Sequence, residues 1–256
     1  MLIIVPPSES KRPPERDGSP VALDALSFPE LRHTRRVVAE ALIRTSRSLD
    51  AFKRLQVPPS RAPEVAANVH LLELPAMPVL DLYTGPVHDG VNAAGLSAAG
   101  AARAEQSLVV NSALWGLLRP ADRVPPYRLH VCAHLLGVDD LEPAWREVLP
   151  SALAAAAGPS GVILDLRSPA NRATGSPAGM GDRTVWLRVD HGPPGQRVGE
   201  VISKRLRGAA GHELLESGID PVDPPELAAV LGARWPARLE PPERPGRAWT
   251  LTLSID

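Results

Sequence analysis

Met1-Leu2-Ile3-Ile4-Val5-Pro6-Pro7-Ser8-Glu9-Ser10-Lys11 is the stretch from which the fold can be read. Leu2 to Val5 is a short apolar run ended by two prolines, which reads as a buried strand. It opens into a polar loop, Ser8 to Pro14, that presents two hydroxyls, a carboxylate and an ammonium within four residues. Loops that follow strands are where α/β proteins place ligands. The loop has no glycine and is not a phosphate-cradling P-loop.

Working outward, strands and helices alternate. Residues 29–53 have helical spacing, and Pro78 to Tyr83 reads as a strand ended by the turn Thr84-Gly85-Pro86. Residues 92–106 are alanine-rich and helical in character. Leu108 to Val110 is a short apolar strand or helix. Asp139 to Ala157 reads as one helix closed by Gly158-Pro159, and Val162 to Leu166 as a buried strand. Arg183 to Asp190 and Trp249 to Ile255 alternate as strands, and Gln196 to Ser217 reads as a helix. The pattern implies a mixed α/β fold with no internal repeat. No domain boundary is visible, so residues 1–256 are expected to form a single domain.

The basic residues are unevenly chosen: of 28, only Lys11, Lys53 and Lys204 are lysines. Arginine holds anions but is a poor base or nucleophile, whereas a desolvated lysine can lose its proton and react. Lys11 and Lys204 lie in polar motif segments, as do the only two tyrosines, Tyr83 and Tyr127. Ser8, Ser10 and Lys11 form the first candidate cluster. Tyr83 and Thr84 stand beside Gly85, where the backbone can approach closely. Arg119, Arg123, Tyr127 and Arg128 stand among prolines that fix the directions of the guanidiniums, an arrangement suited to phosphate or carboxylate. Lys204 and Arg207 share a helical face.

Bulk properties bound the reading. A net charge of −1 excludes a protein that is basic everywhere but permits a local basic groove. Aromatics at 4% leave little for a base-stacking platform. No run approaches the roughly 18 apolar residues of a membrane helix, residues 1–5 are too short for a signal peptide, and the one cysteine suits a reducing compartment. A cytoplasmic protein without membrane partners is expected. His130 and His134 flank Cys132 without a third ligand at a usual spacing, so neither a metal nor a cofactor is expected.

Taken in order, Pro6 to Lys11, Tyr83-Thr84-Gly85, Ser112 to Leu129, Leu164 to Ser168 and Ser203 to Gly208 resemble the YaaA peroxide-stress protein family. Leu117-Leu118-Arg119-Pro120 with Pro126-Tyr127-Arg128-Leu129 is the most specific match. The resemblance implies a compact mixed α/β domain of unusual topology and a cytosolic role in limiting hydrogen peroxide damage. It further implies DNA binding through a basic cleft and a helix-hairpin-helix element, for which the turn around Trp115-Gly116-Leu117 is the expected place. Double-stranded DNA is then the expected partner, with Ser8, Ser10, Lys11, Thr84, Arg119, Arg123, Tyr127, Arg128, Lys204 and Arg207 lining the contact surface. The residues leave an alternative open: an enzyme acting on a small anionic or nucleotide-like substrate, with Lys11, Tyr83 and Lys204 as its catalytic groups.

Overall fold

The computed structural model describes residues 1–14, 17–191 and 199–255. Its centre is a seven-stranded sheet of β1 (Leu2–Val5), β2 (Leu108–Ser112), β3 (Gly116–Leu118), β4 (Ile163–Asp165), β5 (Thr184–His191), β6 (Ala237–Glu240) and β7 (Trp249–Ile255). The spatial order is β6-β7-β5-β4-β1-β2-β3. β1 pairs in parallel with both β2 and β4, and β4–β5 and β5–β7 are also parallel. Only the edge pairs, β2–β3 and β6–β7, are antiparallel. The chain therefore moves from β1 to one side of the sheet and later returns to the other side. Such a reversal opens a crevice beyond the carboxyl ends of the strands.

All four residues of β1 are fully buried, as expected for a central parallel strand covered on both faces. The principal helices are α1 (Arg32–Ser46), α2 (Pro86–Val91), α3 (Ala98–Ser107), α4 (Leu149–Ala157), α5 (Pro169–Ala173), α6 (Glu200–Ser217) and α7 (Pro224–Gly232). Among the described residues no helix is long and apolar enough to cross a membrane.

Several local expectations are corrected. The segment around Trp115 is a β-hairpin, not a helix-hairpin-helix: Val110, Asn111 and Ser112 pair with Leu118, Leu117 and Gly116. Its turn is anchored from inside, because the Ser112 hydroxyl accepts the backbone N–H groups of Leu114 and Trp115 at 3.1 and 3.0 Å. Gly116 turns the chain at φ +66°, and buried Arg35 donates to the carbonyls of Trp115 and Leu117. Pro78 to Tyr83 is not a strand. Met77–Pro78 pairs briefly with Arg123–Val124, and Val79–Leu82 then make one helical turn that buries both its ends. The expected helix from Asp139 to Ala157 is two helices, Leu141–Arg146 and α4, separated where Pro150 enters the first turn of α4 and cannot continue a helix before it. The expected start of α6 at Gln196 lies outside the described residues.

α2 and α6 cross at glycines. A side chain at Gly208 would overlap the carbonyl oxygen of Val87, and one at Gly90 would overlap that of Arg205. The two backbones touch, and this brings Lys204 and Arg207 over the loop that follows β1. Gly208→Ala is expected to wedge the helices apart and cost about 1–3 kcal/mol, a fall of roughly 5 °C in a thermal melt. Gly199→Ala, where a side chain meets open space, should melt like the parent. Equal melting of the two variants would show that the crossing tolerates a methyl group.

Candidate functional site

Two clefts adjoin at the carboxyl ends of the parallel strands. The first, of about 420 Å³, is lined by residues 6–10 after β1, Ala113 after β2, Ser168 and Asn171 after β4, and Lys204 and Arg207 of α6. The second, of about 500 Å³, shares Arg207 and adds Arg167, Arg172, Trp186, Arg188 and Asp190. A third, of about 320 Å³, shares Trp186 and Thr250 with the second and carries Arg244 and Arg247.

Local geometry explains the convergence. Trp186, Arg188 and Asp190 alternate along β5 and so share one face of the sheet. Arg207 reaches that face from α6. Arg172 reaches it from α5, whose N-terminus is capped by the Ser168 hydroxyl. The Arg172 guanidinium lies over the Trp186 ring at 4.5 Å and donates to the Arg167 carbonyl at 2.7 Å. Its pKa is pushed down, first by burial, with Arg167, Arg207 and Arg188 adding repulsion against the opposing pull of Asp165. Burial likewise lowers Arg207. None of Arg172, Arg188 and Arg207 has a carboxylate within ion-pair distance among the described residues. Lys204 is different, since Glu200 holds it at 2.5 Å.

Arg167 is structural. It is fully buried, gripped in two-pronged fashion by Asp165 at 2.9 and 2.7 Å, and further satisfied by Asn111 and the Gly175 carbonyl. This network ties the ends of β2 and β4 together under the cleft.

Behind the loop 8–11 lies a separate cluster. The Lys11 ammonium donates to the Ser8 carbonyl at 2.7 Å and sits 4.0 Å from the centre of the Tyr127 ring and 5.4 Å from that of Tyr83. Burial lowers its pKa to about 7, with help from Arg128, against the opposing pull of Glu9 and Glu64. The hydroxyls of Tyr83 and Tyr127 are 2.8 Å apart, and that of Tyr127 is 2.7 Å from Ser112. Ser112 already accepts two backbone N–H groups, so both its lone pairs are taken and its own proton goes to Tyr127. Tyr127 must then donate to Tyr83, which leaves the Tyr83 proton as the free end of the chain. Burial raises Tyr83 to about 12 and holds Tyr127 well above the ordinary phenol range, so both stay protonated. His88 stacks on Tyr83 and donates from Nε2 to the Pro6 carbonyl at 3.1 Å; burial lowers it to about 4, which keeps it neutral.

The candidate residues thus divide. Ser8, Ser10, Lys204 and Arg207 meet in the first cleft. Thr84 is tied by its N–H to the Ser10 carbonyl, and Gly85, at φ +107°, leaves room for the Ser8 hydroxyl. Lys11, Tyr83 and Tyr127 form the cluster behind. The three arginines of residues 119–128 do not converge. Arg119 donates to the Gln106 carbonyl at 2.7 Å and Arg123 to that of Ala76 at 2.9 Å. Arg128 is buried and bound to Glu9 at 2.6 Å. Asp122 receives the N–H groups of Ser27 and Arg119, not a guanidinium. The reading of the sequence missed Arg172, Trp186 and Arg188. The alternation of β5 was the one signal for the last two, and nothing local marked Arg172.

A sequence model of the family described as Peroxide stress protein YaaA matches residues 1–233. A UPF0246 protein of Streptomyces coelicolor is 36% identical over 100% of this chain and 98% of its own length. Another, from Corynebacterium efficiens, is 32% identical over 100% of both chains.

Proposed function

The chain belongs to the YaaA peroxide stress protein family, and on that premise we propose that it acts in peroxide stress by binding the phosphate backbone of duplex DNA along its arginine-lined groove. The observation that carries this reading is the meeting of Arg172, Arg188 and Arg207, from three separate elements, in one open cleft of about 500 Å³. Cations gathered without ion-pair partners repel one another, and although burial is the main cause of the lowered Arg172 pKa, Arg167, Arg207 and Arg188 push it the same way. An anion relieves that repulsion. The groove adjoins two further clefts, sharing Arg207 with the one that holds Lys204 and Ser8, and Trp186 and Thr250 with the one that holds Arg244 and Arg247. An elongated track suits a polymer better than a single small anion. Recognition would rest on backbone and shape, because phosphate contacts carry no base information.

The test is a titration into fluorescein-labelled duplex DNA, read by anisotropy at about 50 and about 200 mM salt. Three to four neutralised phosphates predict a loss of affinity of roughly 40- to 150-fold between the two conditions. Absence of binding at the lower salt would end the DNA reading.

A second reading, an enzyme for a nucleotide-like anion, draws support from the first cleft alone. About 420 Å³ is the size of a small-ligand pocket, and hydroxyl, amide and cationic groups converge there at the reversal of strand order. Saturable binding of a mononucleotide, abolished by Lys204→Ala and indifferent to duplex DNA, would favour it.

A further inference from the structure

The cavity on the far side of the loop 8–11 is part of neither the arginine groove nor the first cleft. It encloses about 530 Å³ and is walled largely by Pro13, Pro14, Pro63, Pro126, Ala67 and Leu74, with Lys11 and Tyr127 lining it as well. Two arginines, Arg12 and Arg61, also line it. Arg61 is paired with Glu64 at 2.7 Å, whereas Arg12 is exposed and has no carboxylate partner among the described residues.

We propose that Lys11 is a carbonyl-reactive amine, and that this cavity takes a small aldehyde or keto compound bearing a carboxylate as a Schiff base. The geometry supplies what such chemistry needs. One N–H of the amine is fixed by the Ser8 carbonyl at 2.7 Å, and the Tyr127 and Tyr83 rings lie against the nitrogen. A lysine desolvated beside another cation gives up its proton readily, and Arg128 is that cation. The charged groups around it are Arg128, Glu9 and Glu64, with His88 neutral and both tyrosines protonated. With its pKa lowered to about 7, the free amine makes up a substantial share of Lys11 at neutral pH. Condensation is redox-neutral: the nitrogen lone pair forms the bond to the carbonyl carbon, the carbon–oxygen bond breaks, and both amine hydrogens leave with the oxygen as water. The carboxylate of the bound compound faces Arg12.

Three lysines in the whole chain make the test clean. The intact protein is incubated with glyoxylate and cyanoborohydride, digested, and adducts are quantified at Lys11, Lys53 and Lys204. Lys11 is expected to be modified at least about tenfold faster than exposed Lys53 at pH 7, with a midpoint near pH 7, because only a lysine with a depressed pKa is deprotonated there. The rate should saturate with glyoxylate, and Arg12→Ala should raise the half-saturating concentration. Equal modification of Lys11 and Lys53, or a rate at Lys11 that climbs only above about pH 9, would overturn the reactive amine. Strict linearity in glyoxylate concentration would overturn the binding cavity. Neither result depends on a variant that must fold.

Discussion

Replacing Arg188 and Arg207 together with alanine is expected to weaken duplex DNA binding about 100-fold at low salt. Each charge-assisted hydrogen bond to phosphate is worth about 1.5 kcal/mol or more, so losing two corresponds to roughly two decades in the dissociation constant. The salt dependence should flatten as well, by about 2 units of log–log slope, because two fewer counterions are released on binding. The control is Arg32→Ala with Arg54→Ala. It removes the same two charges, but from side chains that carboxylates already hold, Asp24 at 3.0 Å and Asp50 at 2.8 Å. If both double variants weaken binding equally, the protein responds to total charge and the groove has no special part. If only the groove variant weakens it while the salt slope is unchanged, the arginines position another group and do not themselves meet phosphate.

Local charge governs the groove, since the chain as a whole carries a net charge of −1. Solvent and salt damp a field beyond roughly 10 Å, so a weakly acidic surface elsewhere does little to a polyanion already in the groove. It does remove long-range steering. Association should therefore be slower than for a strongly basic protein, while the bound state keeps its short-range contacts.

How far these features were legible in the sequence depended on the range of the forces involved. β1 and β7 were readable to the residue, because a buried parallel strand must be apolar and the period of two along Trp249–Ile255 fits a strand and no helix. Pro78 to Tyr83 was not. Six residues with apolar positions two and three apart satisfy both periods, and the pairing with Arg123–Val124 that ends the strand after Pro78 lies far along the chain. The hairpin at Trp115 was missed for a similar reason. Its turn is set by Ser112 from inside and by Arg35 from a distant helix, and neither contact leaves a local signal. The site divided along the same line. Lys11, Tyr83 and Tyr127 were marked by rarity, and the fold gathers them into one cluster. Their hydroxyl chain, with Ser112 as its anchor, follows only from which strands are neighbours. Arg172 and Arg188 look ordinary in sequence and Arg207 was marked only by the helical face it shares with Lys204; sheet order and the glycine crossing of α2 and α6 bring the three together.

The buried pair of Asp165 and Arg167 should yield the largest change in stability. Asp165→Ala is expected to cost about 3–5 kcal/mol, because it leaves a guanidinium charged and uncompensated in the interior. In a protein of this size that lowers the melting temperature by roughly 10 °C. Both side chains are fully buried, and Asp165 also accepts the Arg167 backbone N–H at 3.0 Å, so the carboxylate shapes the loop as well as neutralising it. Adding Arg167→Met to Asp165→Ala removes the orphaned charge and should recover part of the loss. Recovery should stay incomplete, since Arg167 also binds Asn111 and the Gly175 carbonyl and so joins β2 to the segment after β4. That join is what holds α5, and with it Arg172, against the groove. The double variant, well folded at low temperature, should therefore bind DNA more weakly than the parent even though no groove arginine has been touched. A double variant that melts low but binds like the parent would show that Arg172 finds its place without the buried pair. Melting within about 2 °C of the parent for Asp165→Ala alone would mean that water reaches Arg167, and that the pair is less sealed than its geometry requires.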